Sequence, residues 1–273
     1  MNRTAQHTAR HTARPTTRPT TRPTTRPTAH AVRRLAVAEA RLFLREPLTA
    51  FFGLAFPAVL LLVLGSVPAL RRTSPDMDGM STIQLYAPIL AVFTLLLLGL
   101  NSLPSLLAAY RERGVLRRMS ASPVRPALLF GALLPLYLGV AVVSVLLVVA
   151  AGPLLGVALP RQPLGFLLAF LLAAAALLST GLLLAAVVPS AKAGNAVGAL
   201  AFFPMMFFSG IWLPREFMPP LLNRIGDFTP SGAAVQTLQD AWAGHFPQVV
   251  GLLTLAAYAV LAGAAAARLF RWE

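Results

Sequence analysis

From residue 49 onward the chain alternates between long apolar runs and short polar breaks. Six runs, 49–70, 85–109, 127–151, 164–188, 195–213 and 249–267, are apolar throughout their length. Each is close to or above the ~20 residues a helix needs to cross a ~30 Å hydrocarbon layer. None alternates in and out as a barrel strand does, so the pattern predicts helices. Upstream, in AVRRLAVAEARLFLREP, helical spacing puts Arg34, Arg41 and Arg45 on one arc and Val32, Leu35, Ala36, Leu42 and Phe43 on the opposite one. That division predicts a helix lying in the membrane interface, with Pro47 marking the turn into the first span. Glu39 and Glu46 fall in the apolar arc, against the pattern. After the fifth run, FFSGIWLPREFMPP breaks at a tryptophan and three prolines, and the following segment is too short to span. Leu221, Leu222, Ile225 and Phe228 form one stripe, and Val235, Leu238 and Trp242 another. Thr229 and Pro230 between them suit an N-cap and a first helical position. The expected fold is an all-α integral membrane protein. It has six transmembrane helices, an N-terminal interfacial helix and a short external helical hairpin between spans 5 and 6, with Trp212 and Trp242 near the interface.

Composition agrees: 57% of the 273 residues are hydrophobic and 12% charged, far from the ~25% charged fraction of soluble domains. The net charge of +14 changes the picture only through its placement. With the N-terminus inside, segments 1–48, 110–126, 189–194 and 268–273 carry 18 of the 23 basic residues against four acids. The other face carries five of each sign. The positive-inside rule therefore places both termini in the cytoplasm. The charge is topological, and no aromatic-interleaved basic domain is present to bind nucleic acid. Residues 1–29 stand apart as a cytoplasmic tail in which RPTT repeats from Arg14, a composition that builds neither helix nor core and suits contact with anionic membrane lipids. The remainder, 30–273, reads as one membrane domain. Arg- and Ala-rich usage with a single lysine, Lys192, points to a bacterial inner or plasma membrane.

Several chemistries lack their residues. No run contains Asp, Glu, Lys, Arg or His, whereas ion-coupled carriers use ionisable groups near the midplane. No nucleophile-base or metal-ligand spacing appears, and Lys192 lacks the glycine-rich context of a phosphate loop. The expectation is a non-enzyme that binds no metal or cofactor itself, so any energy for transport arrives from another polypeptide. The contact for it is the short basic segment YRERGVLRRMSASPVRP, where Val115, Leu116 and Met119 form an apolar edge among Arg111, Arg113, Arg117 and Arg118. Gly194 and Gly198 form a small-xxx-small pair suited to close helix packing, within one protomer or between two. Tyr86, Asn101, Ser102, Ser144, Ser179, Thr180 and Asn195 are the few polar groups in or beside the runs.

Two motifs carry a resemblance. In the basic segment these are Glu112, Gly114, Leu116, Met119, Ser122 and Pro123, and in the late segment Ser209, Gly210, Pro214, Met218, Pro219 and Pro230. Their order within six spans, over residues 30 to 270, resembles the membrane subunit of ABC type-2 exporters, the permease group of daunorubicin-type drug exporters and nodulation-factor exporters. Val115 departs from the Thr of many relatives. The resemblance implies a permease that pairs with a second copy or a related permease and with a cytoplasmic ABC ATPase subunit holding ATP and Mg. Residues 111–123 would couple to that ATPase, and the late segment, Trp212 included, would form the external exit region. The implied function is export of an amphiphilic or lipophilic small molecule, a drug or antibiotic first, giving efflux and antibiotic resistance. A lipid or lipid-linked glycan exporter is the alternative within that mechanism, and an ion-coupled carrier the alternative outside it.

Overall fold

Prolines, glycines and capping side chains set where the apolar runs become helices. The computed structural model describes residues 29–73, 81–120, 127–213 and 215–270. The tail 1–28, Ser122, Pro123 and Pro214 lie outside the described residues, as do the side chains of Arg117 and Met119. In chain order the helices are α1 (Ala29–Arg45), α2 (Pro47–Gly65), α3 (Thr82–Glu112), α4 (Val115–Ser120), α5 (Ala127–Ala151), α6 (Pro163–Val187), α7 (Ala191–Phe208), α8 (Pro220–Asp227), α9 (Pro230–Ala243) and α10 (Val249–Leu269). Six of them, α2, α3, α5, α6, α7 and α10, are long and apolar enough to cross a membrane.

The boundaries depart from the apolar runs for local reasons. α3 starts three residues before its run because Ser81 and Gln84 form a reciprocal capping box, with the Ser81 amide donating to Gln84 Oε1 at 2.9 Å. α7 starts at residue 191 because the Ser190 hydroxyl accepts from the Ala193 amide at 3.1 Å. It ends at Phe208, five residues short of its run, because Gly210 at φ +83° turns the chain away. α2 stops at Gly65, and Pro68 opens a single 3₁₀ turn in its place.

Two spans contain π-helical segments, Phe51–Ala55 in α2 and Leu97–Ser102 in α3. Each ends one residue before the residue preceding a proline, Pro57 or Pro104. A proline ring clashes with the carbonyl four residues back, and a widened turn relieves that clash while keeping the helix continuous.

α3 is the central pillar. In its most apolar stretch 83% of the residues are buried, against 17% for α10, which turns most of its surface outward. Its backbone meets two neighbours at glycines. A Cβ on Gly181 of α6 would stand 1.9 Å from the Gly99 carbonyl oxygen of α3, and one on Gly198 of α7 would stand 2.4 Å from the Leu100 oxygen. Gly194 meets the backbone of Pro104 and Ser105 in the same seam. Gly194 and Gly198 thus pack within the chain, against α3. Buried hydroxyls tie the pillar to α5: Thr94 and Ser144 lie 2.9 Å apart, and Ser102 and Tyr137 3.0 Å apart. Thr180 donates to the Ala176 carbonyl of its own helix at 2.8 Å.

Candidate functional site

The even number of spans puts α1, α4 and the end of α10 at one end of the bundle, and α8 and α9 at the other. At the first end, α3 runs to Glu112, the chain reverses at Gly114 (φ +64°), and α4 restarts at Val115. The reversal needs a residue that tolerates a left-handed backbone, and a Cβ there would meet nothing within 4 Å, so only the backbone requires glycine. Leu116, 1% exposed, anchors α4 in the core, while Glu112, Arg113 and Arg118 stay exposed. Arg118 donates to the Arg113 carbonyl at 2.9 Å, holding the turn closed.

Arg111 joins this turn to two other spans. Its guanidinium donates to the carbonyls of Val188 (2.8 Å) and Ala185 (3.4 Å), the free acceptors at the C-terminal end of α6. It also lies 5.2 Å from the centroid of the Phe270 ring, just past α10. Arg111 thus links the end of α3, next to α4, with the C-terminal end of α6 and the residue after α10.

Beside this turn is a cavity of about 460 Å³ between α1, α2, α3, α5 and the start of α7. Glu39, Glu46, Asn101, Tyr110, Arg113 and Asn195 are among its polar groups, and Phe43, Phe52 and Tyr137 among its rings. Glu39, only 7% exposed, accepts the one Tyr110 hydroxyl hydrogen between its two oxygens, at 2.7 and 3.0 Å from the hydroxyl. Burial pushes its carboxyl above the usual carboxylate range, more than the Tyr110 hydrogen bond lowers it. The acid that interrupts the apolar arc of α1 is thus the group that fixes α1 to α3, a role the helical pattern signalled without identifying the partner.

A raised acid pKa sets the sign of its effect on stability. Docking of α1 carries no charge penalty below the free carboxylate pKa, and the full penalty develops as pH rises through the folded value. Glu39→Gln, which keeps an acceptor for Tyr110, is expected to leave thermal stability in detergent at neutral pH unchanged or raised. Tyr110→Phe strands the carboxylate and is expected to lower stability by about 1–3 kcal/mol. A thermal-shift comparison at neutral and mildly acid pH checks both, and the gap between Glu39→Gln and the parent should close in acid.

At the other end, the chain after α7 folds back around Arg215. The Ser209 hydroxyl donates to the Met206 carbonyl at 2.7 Å and Gly210 makes the turn. Met218 is buried, and Pro219 precedes α8. Arg215, 8% exposed, pairs with Asp227 and donates to the carbonyls of Gly232 (2.8 Å) and Asn223 (3.2 Å). The Asn223 amide returns a bond to the Arg215 carbonyl at 2.7 Å. The Thr229 hydroxyl caps α9 by accepting from the Gly232 amide at 3.1 Å, with Pro230 in the first position.

The two tryptophans expected near the interface differ: Trp212 is 63% exposed and Trp242 4%. Trp242 donates its indole N–H to the Ala158 carbonyl at 2.9 Å and meets the Phe166 ring edge-on, because the α9 stripe of Val235, Leu238 and Trp242 turns into the protein. The α8 stripe of Leu221, Ile225 and Phe228 instead faces outward. Sequence reasoning counted Arg215 only as an external charge. Its signal was an Asp twelve residues on, across two turn-forming prolines.

Among the described residues no group of three or more His, Asp or Glu side chains is placed to hold a metal ion. Residues 30–241 match the model of a protein family described as ABC-2 type transporter. No curated protein matches the chain.

Proposed function

Because the chain belongs to the ABC-2 type transporter family, we propose that it exports an amphiphilic or lipophilic small molecule, a drug or antibiotic first, on energy from ATP hydrolysed in a partner subunit. As a membrane component of that family it is a multi-pass transporter permease and not an enzyme, and the family generally works with an ABC ATPase. The end of the bundle carrying α1 and α4 faces the cytoplasm in this reading, since most of the basic residues belong to segments at that end. ATP and Mg belong to the ATPase, which docks on α4 and the residues around it. Two permeases, identical or related, complete the assembly, and α8 and α9 cap the external exit.

The observation that carries the reading is the Arg111 clamp. An ATPase pushing on a basic protrusion moves the spans only if the protrusion is fixed to them. Leu116 and Arg111 fix this one to α3, α6 and the end of α10. The absence of charged residues from the apolar runs suits lipophilic cargo.

The test replaces an exposed residue of the proposed contact, Glu112, and the glycine of the turn beside it, Gly114. Glu112→Ala is expected to leave expression and thermal stability unchanged while ATPase co-purification and export of a toxic lipophile fall at least tenfold. Gly114→Ala, which strains the left-handed turn by about 1 kcal/mol, is expected to retain more association than export. If export and association both survive Glu112→Ala and Gly114→Ala, α4 is not the coupling element.

A further inference from the structure

We propose that the cavity between α1, α2, α3, α5 and α7 is the loading site for a lipophilic cation. The inference rests on the export reading for its direction, but its binding chemistry stands on the cavity alone.

Charge and size come first. Glu39 and Glu46 line the cavity with Arg113 as the one basic residue, and neither carboxylate makes a salt bridge among the described residues. The side-chain amides of Asn101 and Asn195 also line it and make no hydrogen bond among the described residues. Glu39 is buried and makes no ion pair among the described residues, and an unpaired buried carboxylate is unfavourable, so a positively charged guest beside it is favoured. A volume of about 460 Å³ suits a drug-sized molecule. Phe52 and Tyr137 present rings, whose faces attract cations and whose bodies bury apolar surface.

Behind Phe52 the cavity wall continues as a series of ring contacts. Phe52 of α2 stands 5.0 Å from Phe56, Phe56 stands 5.5 Å from Phe93 of α3, and Phe93 stands 6.0 Å from Phe202 of α7. Phe203 follows at 5.9 Å and is exposed on the bundle surface. Along α2 and α7 these positions climb from the cavity end, and along α3 Phe93 lies one turn above Leu97 of the cavity wall. Both π-helical segments stand at the start of this series, contributing Phe52 on one side and Leu97, Asn101 and Ser102 on the other. Such segments occur frequently at functional sites. Phe93 and Phe202 are buried in the core, so beyond Phe52 these rings form a packed seam behind the cavity wall and not an open channel.

The test uses the full-length permease in nanodiscs of zwitterionic lipid, with empty nanodiscs as the partition control. Tetraphenylphosphonium and tetraphenylborate have nearly the same shape and opposite charge. The expected result is saturable binding of the cation at least tenfold tighter than of the anion. Glu46→Gln, at an exposed position, should weaken cation binding about threefold. The Glu39→Gln/Glu46→Gln double variant should weaken it at least tenfold and leave the anion unchanged. Equal binding of the two ions, or cation binding in the double variant within twofold of the parent, overturns the proposal. Glu46→Gln alone keeps the measurement readable if the double variant fails to give a monodisperse protein. No ATPase takes part in the measurement, so cation-selective binding without ATP-driven export would count against the proposed function and leave this site standing.

Discussion

Gly181→Ala is expected to separate α3 from α6 and to produce the largest loss of folded protein of any single methyl addition to the bundle. The added Cβ would lie 1.9 Å from the Gly99 carbonyl oxygen, a backbone atom that cannot rotate away. Relief requires moving one helix against the other along a seam that also includes Gly99, whose own Cβ would stand 2.6 Å from the Leu177 oxygen. Overpacking costs about 1–3 kcal/mol when side chains absorb it, and a clash with main chain belongs at or above the top of that range. The better helix propensity of alanine returns only about 1 kcal/mol. Gly139→Ala supplies the control, because a Cβ there meets nothing within 4 Å and should be neutral or mildly stabilising. The two variants are compared by yield of monodisperse protein and by apparent melting temperature in detergent. Equal behaviour would mean that the α3–α6 seam is looser than its geometry.

Arg215→Ala is expected to have the second-largest effect, confined at first to the end of the bundle that holds α8 and α9. One guanidinium there satisfies the carbonyls of Gly232 and Asn223 and neutralises Asp227. Removing it strands buried acceptors and a carboxylate at once, a loss of about 3–5 kcal/mol by the measure of buried pairs broken on one side. Asp227 retains partial access to solvent, so the lower end of that range applies. Arg215→Lys should recover only part of the loss, since an ammonium cannot span the same acceptors with a planar fork. Hydrogen exchange should show protection lost first in residues 215–232 and later, if at all, in the spans. Uniform loss across α3 and α6 would sink the assignment of Arg215 as a local hub.

The spans were legible because a lipid-facing helix must be apolar for its whole crossing, and six runs without a charged residue satisfy that requirement at nearly any register. Their ends were less legible. α7 begins at a serine cap and stops at a left-handed glycine, and hydropathy senses neither of these as it senses Asn195 or Leu213. Gly194 and Gly198 announced a close helix approach, but a small-residue pattern does not name its partner, and the partner is α3. The break after α3 left a trace in the sequence in Gly114 and the basic residues around it. The clamp was not legible, because Arg111 and its acceptors at Ala185 and Val188 lie more than seventy residues apart in sequence. The cavity left only a negative trace: Glu39 sat where an amphipathic helix should carry an apolar side chain.

The glycine seams divide the molecule mechanically. α3, α6 and α7 touch main chain to main chain at Gly99, Gly181 and Gly198, so they have almost no slack and translate as one block. α2 meets its neighbours differently: the atoms nearest a Cβ on Gly65 would be the side-chain tips of Ile83 and Leu155. Contacts made by rotatable side chains are compliant where backbone contacts are stiff. In the proposed coupling, a load applied at α4 and carried by Arg111 would move the stiff block, and its soft boundary with α1 and α2 would take up the strain. That boundary runs through the cavity, so its volume is what such a displacement would change.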